Sequence, residues 1–503
     1  MNLARLCPPR RTGLMVAMLI ALLASAGSVE AAAPGLSLTA CRLPGHPTEL
    51  QCGTLQRPLD PAQPNGTQIS LRVAVLPALA RNKLPDPVVF LAGGPGQSAV
   101  DLLPMVVPGF NRLSQRRDLV FVDQRGTGQS ANLECPDERA LPTAEGLDFD
   151  AQMKRLDACR VELQKRPHGD LTKYTTTIAM QDLDAVRQAL GVAQWNVVGA
   201  SYGTRAGLEY LRQFPQATRR AILDGLAPPD MALPKSFSTD TQAALDALLA
   251  HCAQDSACQQ AYPDLAGQWK RLLASLPRDV SLPHPLTGRM ETVRLKPEHV
   301  VRAVRGPLYV PSLSAVVPVA IAQASQGNFT PLAGLSSAMG GGRSGRLAMG
   351  MHFSVVCAED LARMAVSKDA PGADYGLVDA QLYERVCANW PRGTVPAAFY
   401  EMPKAPAAVL LLSGGADPVT PPRHGERVAA ALGAQAQHVV VPAAGHGVMR
   451  LPCLRDVLAK FIEAKTDAEA LAVKADCAKP MRRATAFVPP NPLLPPVKKE
   501  GQK

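Results

Sequence analysis

The segment Trp195-Asn-Val-Val-Gly-Ala-Ser-Tyr-Gly-Thr204 constrains this chain more than any other stretch. Asn196 to Val198 reads as a short buried strand and Thr204 to Gln213 as a helix, so Gly199-Ala-Ser201-Tyr-Gly203 must turn the chain sharply between them. Glycine on both sides lets neighbouring backbone approach closely. A serine at the apex of such a turn lifts its hydroxyl clear of the strand end, and the following amide, that of Tyr202, points toward the place where negative charge would develop on an attacked carbonyl. Ser201 is therefore the candidate nucleophile and Tyr202 a candidate backbone donor.

The turn needs a parallel sheet beneath it, and the rest of the chain supplies one. Apolar runs at Val88 to Leu91, Leu119 to Val122, Asn196 to Val198 and Ala221 to Leu223 alternate with helical patterns such as Met180 to Leu190. Ahead of them, Gly53 to Arg57 and Ile69 to Pro77 alternate in the manner of antiparallel edge strands. From about Ala227 to Tyr400 the rhythm changes to long Ala/Leu/Gln-containing stretches, including Asp240 to Cys252 and Leu265 to Leu276, with a Gly-rich break from Ala338 to Gly350. Strand signals return at Ala408 to Ser413 and His438 to Pro442, followed by a helix at Leu454 to Ala464. The expected class is α/β: a mostly parallel sheet with a helical lid inserted before the last core strands. The expected divisions are 1–33 leader, 34–226 first part of the core, 227–400 helical insert, 401–480 last part of the core and 481–503 a flexible, proline-rich basic tail.

A serine needs a base, and of nine histidines only His446 stands in a late, small-residue loop directly beyond a strand, Pro442-Ala-Ala-Gly-His-Gly447. His438 opens that strand and reads as structural. Asp417, in Ser413-Gly-Gly-Ala-Asp-Pro418, is the favoured acid, and the chain order Ser, Asp, His agrees with the α/β-hydrolase arrangement. Asp224 rivals it, because it too ends a strand, and Asp417 could instead accept turn hydrogen bonds. The loop Leu91-Ala-Gly-Gly-Pro-Gly-Gln-Ser98 lacks the Gly-Lys-Ser/Thr ending of a phosphate loop; Gly93 or Gly94 could donate an amide opposite Tyr202. There is no His-Glu-x-x-His segment, zinc-type cysteine spacing or nicotinamide glycine pattern, so no metal and no cofactor are expected.

Arg5, Arg10 and Arg11, an apolar run from Leu14 to Leu23 and a small-residue stretch to Ala33 form the three parts of an export signal, with cleavage expected near Ala31 or Ala33. Export to a periplasmic or extracellular destination, without stable membrane insertion, is the expectation. Of eleven cysteines, Cys7 leaves with the leader, and the rest are expected to pair as sequential neighbours: Cys41–Cys52, Cys135–Cys159, Cys252–Cys258, Cys357–Cys387 and Cys453–Cys477; buried free thiols are the alternative. The formal charge of +10 gathers in the leader and in the stretch after Leu471, so the body of the chain carries no broad basic surface and nucleic acid is not an expected partner.

Together, Gly93-Gly-Pro-Gly96, Asp123-Gln-Arg-Gly-Thr-Gly-Gln-Ser130, Gly199-Ala-Ser-Tyr-Gly203, Gly414-Gly-Ala-Asp-Pro418 and Gly445-His-Gly447 resemble the proline iminopeptidases and, with the leader and long insert, the secreted tripeptidyl aminopeptidase-like hydrolases. The resemblance covers roughly residues 50 to 460. It implies a catalytic triad of Ser201, Asp417 and His446, with Gly94 and Tyr202 as oxyanion donors. Ala92 departs from the pattern, standing where the commoner family opening has histidine. Asp123 and Arg125 read as loop-organising partners. Because an exopeptidase must recognise a free terminus, Glu359 and Asp360 in the insert are candidates for holding a peptide's ammonium group; helix N-terminal capping or solvent exposure would explain them equally well. The implied activity is serine exopeptidase action on peptides with free N-termini, releasing short peptides or single residues. An exported esterase or lipase-like hydrolase and a catalytically inactive binding protein of the same fold are the alternatives.

Overall fold

The computed structural model describes residues 36–338, 346–404 and 406–489. The leader expected over 1–33 and the end of the expected tail lie outside the described residues.

The strands are β1 (Thr39–Cys41), β2 (Leu50–Pro58), β3 (Gln68–Leu76), β4 (Val88–Leu91), β5 (Leu119–Val122), β6 (Trp195–Ala200), β7 (Thr218–Asp224), β8 (Arg278–Pro283), β9 (Met290–Leu295), β10 (Val409–Gly414) and β11 (Ala436–Val441). Among the described residues, nine of them form one sheet in the order β1-β2-β3-β5-β4-β6-β7-β10-β11. Pairing is antiparallel from β1 to β5 and parallel from β5 through β4, β6, β7 and β10 to β11. The sequence explains the division. β4, β5 and β10 are apolar runs buried along their whole length, as strands covered by helices on both faces must be, whereas β2 carries polar residues on one side. Helices α1 (Ala99–Val106), α2 (Thr176–Ala189) and α3 (Tyr202–Gln213) connect the parallel strands.

The insert between β7 and β10 holds α4 (Leu233–Gln254), α5 (Leu265–Ala274), α6 (Pro297–Leu308), α7 (Met349–Glu359) and α8 (Val378–Asn389), and α9 (Pro452–Glu463) follows β11. It departs from a purely helical lid in two ways. β8 and β9 form a separate antiparallel hairpin, turning near Gly288 at φ +67°, where a side chain would be strained. Its two halves also pack differently. Leu245, Trp269, Val304, Ile321 and Phe329 bury one another in a core of their own, while Met351, Phe353, Cys357, Cys387 and Trp390 join the core that contains Val89, Leu91 and Val122 of the sheet.

The first part of the expected flexible tail is also seated rather than loose. Phe487 N–H donates to the Ala315 carbonyl at 2.8 Å, the Tyr262 hydroxyl donates to the Phe487 carbonyl, and Ala486 packs on the insert's own core. This segment gains its place here through backbone hydrogen bonds together with the packing of Ala486, which a proline-rich, basic composition does not advertise. The ten cysteines among the described residues stand as five pairs at bonding distance, joined as sequential neighbours. Among the described residues no helix is long and apolar enough to cross a membrane.

Candidate active site

Ser201 occupies the single residue between the end of β6 and the start of α3 and has φ +55°, ψ −124°, a conformation costly for any residue with a Cβ. Its amide donates to the Asp224 carbonyl at 2.8 Å, and its carbonyl accepts from Thr204 N–H at 2.8 Å and from Thr204 Oγ1 at 2.6 Å. The backbone is thus fixed from both sides while the Ser201 side chain caps nothing in α3. The flanking glycines are required by space: a Cβ at Gly199 would collide with the Gly203 backbone, and one at Gly203 with the Leu91 carbonyl.

His446 lies in the loop after β11, and Asp417 in the turn after β10, the neighbouring strand. The His446 Nδ1–Asp417 Oδ2 distance is 2.8 Å. Asp417 is almost fully buried and well supplied with donors: Val419 N–H and Thr420 N–H reach Oδ1 at 2.9 Å each, and the Thr420 hydroxyl donates to Oδ2 at 2.7 Å while lying 3.0 Å from His446 Nδ1. Burial pushes the Asp417 carboxyl up, but the facing imidazole and the hydrogen bonds outweigh it and hold its pKa below the ordinary value. Burial likewise disfavours a charged His446, yet Asp417 raises its pKa above 6.5. His446 N–H donates to the Tyr309 carbonyl at 2.9 Å, and its ring meets that of Tyr309 edge-on at 5.1 Å, so the end of α6 in the insert braces the loop.

Asp224 makes a different set of contacts. Its carboxylate accepts from Val448 N–H at 3.0 Å and Met449 N–H at 2.7 Å, which steadies the far end of the His446 loop, and burial pushes its pKa up to about 6. The Asp224–Gly225 backbone joins the two sides of the site. Asp224 receives the Ser201 amide, and a Cβ on Gly225 would stand 3.2 Å from His446 Cε1.

The loop after β4 lies directly against the serine. A Cβ built on Gly93 would be 3.1 Å from Ser201 Cβ, and Gly94, at φ +111°, leaves no room for a side chain beside the Gly96 amide. Asp123 at the end of β5 holds this loop's exit: it accepts from Ser98 Oγ at 2.6 Å, Val100 N–H at 3.0 Å and Gln129 N–H at 3.2 Å, and Ser98 in turn caps α1. Arg125 makes a two-pronged ion pair with Asp182 at 2.7 and 2.9 Å and donates to the carbonyls of Leu59 and Lys173. Both residues organise loops, as the sequence reading had them.

Glu359 and Asp360 correct an expectation. Both are buried at the C-terminal end of α7, so solvent exposure does not describe them, and each carboxylate accepts from the first amide of another helix, Glu359 from Thr176 of α2 and Asp360 from Leu233 of α4 at 3.1 Å. Asp360 forms a two-pronged pair with Arg205 of α3 at 2.9 and 3.0 Å. Glu359 accepts from Thr176 N–H at 2.7 Å and Thr176 Oγ1 at 3.0 Å, and Thr176 Oγ1 is 2.6 Å from the Tyr202 hydroxyl. Burial raises the Glu359 pKa to about 7. Their oxygens are engaged inside the protein, because a fully buried Arg205 requires a counter-charge. Sequence reasoning missed Arg205, Tyr309 and Thr420. Only Thr420, a hydroxyl three residues beyond the acid in the same turn, had a local signal.

This sheet order, with a serine turn after a central strand and an Asp–His pair after the last two, defines an α/β-hydrolase. A family model described as the alpha/beta hydrolase fold matches residues 86–290, and one described as TAP-like protein matches residues 375–470. The fold is that of the α/β-hydrolases, and residues 375–470 are similar to the TAP-like proteins. It is 30% identical to a tripeptidyl aminopeptidase of Streptomyces coelicolor over 219 residues, 41% of this chain and 40% of the relative. It is 31% identical to the serine protease Hip1 of Mycobacterium tuberculosis over 230 residues, 41% of this chain and 42% of the relative. To carboxylesterase B of Mycobacterium tuberculosis it is 29% identical over 433 residues, 76% of this chain and 78% of the relative. The match thus spans about two fifths of the length of the first two relatives.

Proposed function

We propose that the chain is a serine hydrolase of the peptidase type that acts at free N-termini through an acyl-enzyme. The observation that carries this reading is the 2.8 Å contact of His446 Nδ1 with Asp417 Oδ2, on loops flanking the strained Ser201 turn. With Nδ1–H donated to Asp417, the imidazole keeps Nε2 free to take the proton of Ser201 as Oγ attacks a carbonyl. The amides of Tyr202 and Gly94 receive the oxyanion. His446 then passes its proton to the leaving amine and activates the water that releases the acyl group. Asp224 serves as a support for the His446 loop.

In this reading the insert limits access to the serine and so favours chain ends over long polypeptides. A tripeptidyl aminopeptidase and a serine protease among the relatives support peptides as substrates and the release of short N-terminal fragments. Five disulfides together with the leader pattern support work in an oxidising compartment, periplasmic or extracellular. In this reading 34–226 and 401–480 carry the chemistry and 227–400 controls entry. Carboxylester hydrolysis is the second reading, favoured by the carboxylesterase relative that matches most of the chain; the same triad serves an ester with an easier leaving group.

The test is mass spectrometry of free-amine and N-acetylated peptide mixtures after incubation with wild type and S201A, alongside simple esters. Short N-terminal fragments from free-amine peptides only, lost in S201A, are expected. Ester turnover without peptide cleavage would transfer the proposal to the second reading.

A further inference from the structure

We propose that His352, on insert helix α7, is a positioning residue for the oxyanion loop, and that Tyr383 on α8 fixes the imidazole tautomer in which it acts. This rests on the reading of Ser201 as nucleophile. The loop Gly93–Gly96 has two successive carbonyls held by the start of α7: Pro95 O lies 3.0 Å from His352 Nδ1, and Gly96 O accepts from Ala348 N–H at 2.9 Å. Leu347 closes over the loop as well, within 3.2 Å of where a Gly94 Cβ would be.

A carbonyl can only accept, so His352 Nδ1 carries the proton and Nε2 is left as an acceptor. The Tyr383 hydroxyl meets Nε2 at 2.7 Å and donates to it. The site is buried, with His352 only 5% exposed, and burial lowers its pKa, which favours the neutral ring this arrangement requires. Tyr383 has little freedom to move. Its ring packs on Phe353 at 5.5 Å and on His352 at 5.7 Å, and the Cys357–Cys387 disulfide ties α7 to α8 beside it.

The functional consequence follows from the size of the loop. Gln97 N–H closes it on the Gly93 carbonyl at 3.3 Å, so the Pro95 peptide cannot rotate without turning the Gly93 and Gly94 peptides, one of which must aim an amide at the oxyanion. Donors of this kind act only when held within about 0.5 Å of the productive place, and loss of one costs about 10²–10³ in kcat. The same helix ends in Glu359, which reaches Tyr202 through Thr176. One insert helix therefore touches the loop that carries one donor and, through Thr176, the side chain of the residue that carries the other.

The test compares H352A, H352N and Y383F with wild type, reading kcat and KM separately on whichever ester or peptide amide the wild type turns over, with thermal melting in parallel. H352A is expected to lower kcat about 10–100-fold with KM within about twofold, since the donor is misplaced rather than removed. H352N, whose amide can occupy the place of Nδ1–H, is expected to recover kcat to within about fivefold of wild type. Y383F is expected to lower kcat about three- to tenfold at unchanged KM. Wild-type kcat in H352A or in Y383F would overturn the proposal, as would an H352N no better than H352A. If H352A does not fold, Y383F and H352N decide by the same criteria. A wild type that turns over neither ester nor amide would defeat the Ser201 reading and this inference with it, whereas an active wild type with unaffected variants would defeat this inference alone.

Discussion

Residues 233–337 of the insert close around Trp269, Val304, Ile321 and Phe329, whereas residues 348–390 place Met351, Phe353, Cys357 and Trp390 in the core shared with the sheet. The first half meets the catalytic loops through Tyr309, whose carbonyl accepts from His446 N–H, and through Thr241, whose hydroxyl donates to the Pro418 carbonyl beside Asp417. The second half holds Pro95, Gly96, Tyr202 and Arg205 through His352, Ala348, Glu359 and Asp360. The lesson is that an insert in sequence need not be a lid in mechanics. One half is built around a core of its own, and the other belongs to the frame that aims the oxyanion donors.

The largest effect lies outside both halves. D417N is expected to lower kcat about 10⁴-fold by leaving His446 in the wrong tautomer, while D224N, which weakens only the support from Val448 and Met449, is expected to retain most turnover at reduced stability; steady-state kinetics on both variants decides. The same pair governs pH dependence. Since Asp417 raises the pKa of His446 above 6.5 and only the neutral ring accepts a proton, kcat/KM is expected to rise with pH through a value above 6.5.

Next in size come the ion pairs. D360A removes the two-pronged partner of buried Arg205, leaving it only Glu359 at 3.6 Å, and is expected to cost about 3–5 kcal/mol in denaturant unfolding, whereas D279N, in the exposed Arg294–Asp279 pair of the first half, is expected to cost less than about 1 kcal/mol. Equal losses would break the distinction between the halves. Core truncations sharpen it further. W269A and F353A are each expected to lose about 3–5 kcal/mol through the cavity they leave, but only F353A, which packs against Tyr383, is expected to lower kcat in the fraction that remains folded.

Last comes the pH slope of stability. The Glu359 pKa of about 7 in the folded chain lies above its ordinary 4.5, so the folded state binds this proton more tightly than the unfolded one. Stability therefore falls as pH rises from about 4.5 to 7 and levels off above. In E359Q that part of the slope is expected to disappear from melting curves measured across the window.

Much of this was legible in the residues. The apolar runs of β4, β5, β6, β7 and β10 and the glycines around Ser201 announce a parallel sheet with a turn at its edge, because buried strands and tight turns leave local signatures. Asp417 and Asp224 could be ranked but not separated, since both follow a strand end and only the positions of His446 Nδ1 and of the Val448 and Met449 amides distinguish them. Glu359 and Asp360 misled because charge suggests exposure, and their partner Arg205 sits some 150 residues away in the chain. The β8–β9 hairpin had a turn glycine, Gly288, but short strands lost among helices. His352 has no local signal at all, because its role depends on a carbonyl 257 residues earlier.

The central claim is tested most directly by treating wild type and S201A with a fluorophosphonate and mapping the adduct by peptide mass spectrometry. A single stoichiometric adduct on Ser201 in the wild type, absent from S201A, is the predicted result. Modification at another residue, or an unmodified Ser201 in folded protein that turns over substrate, would contradict it.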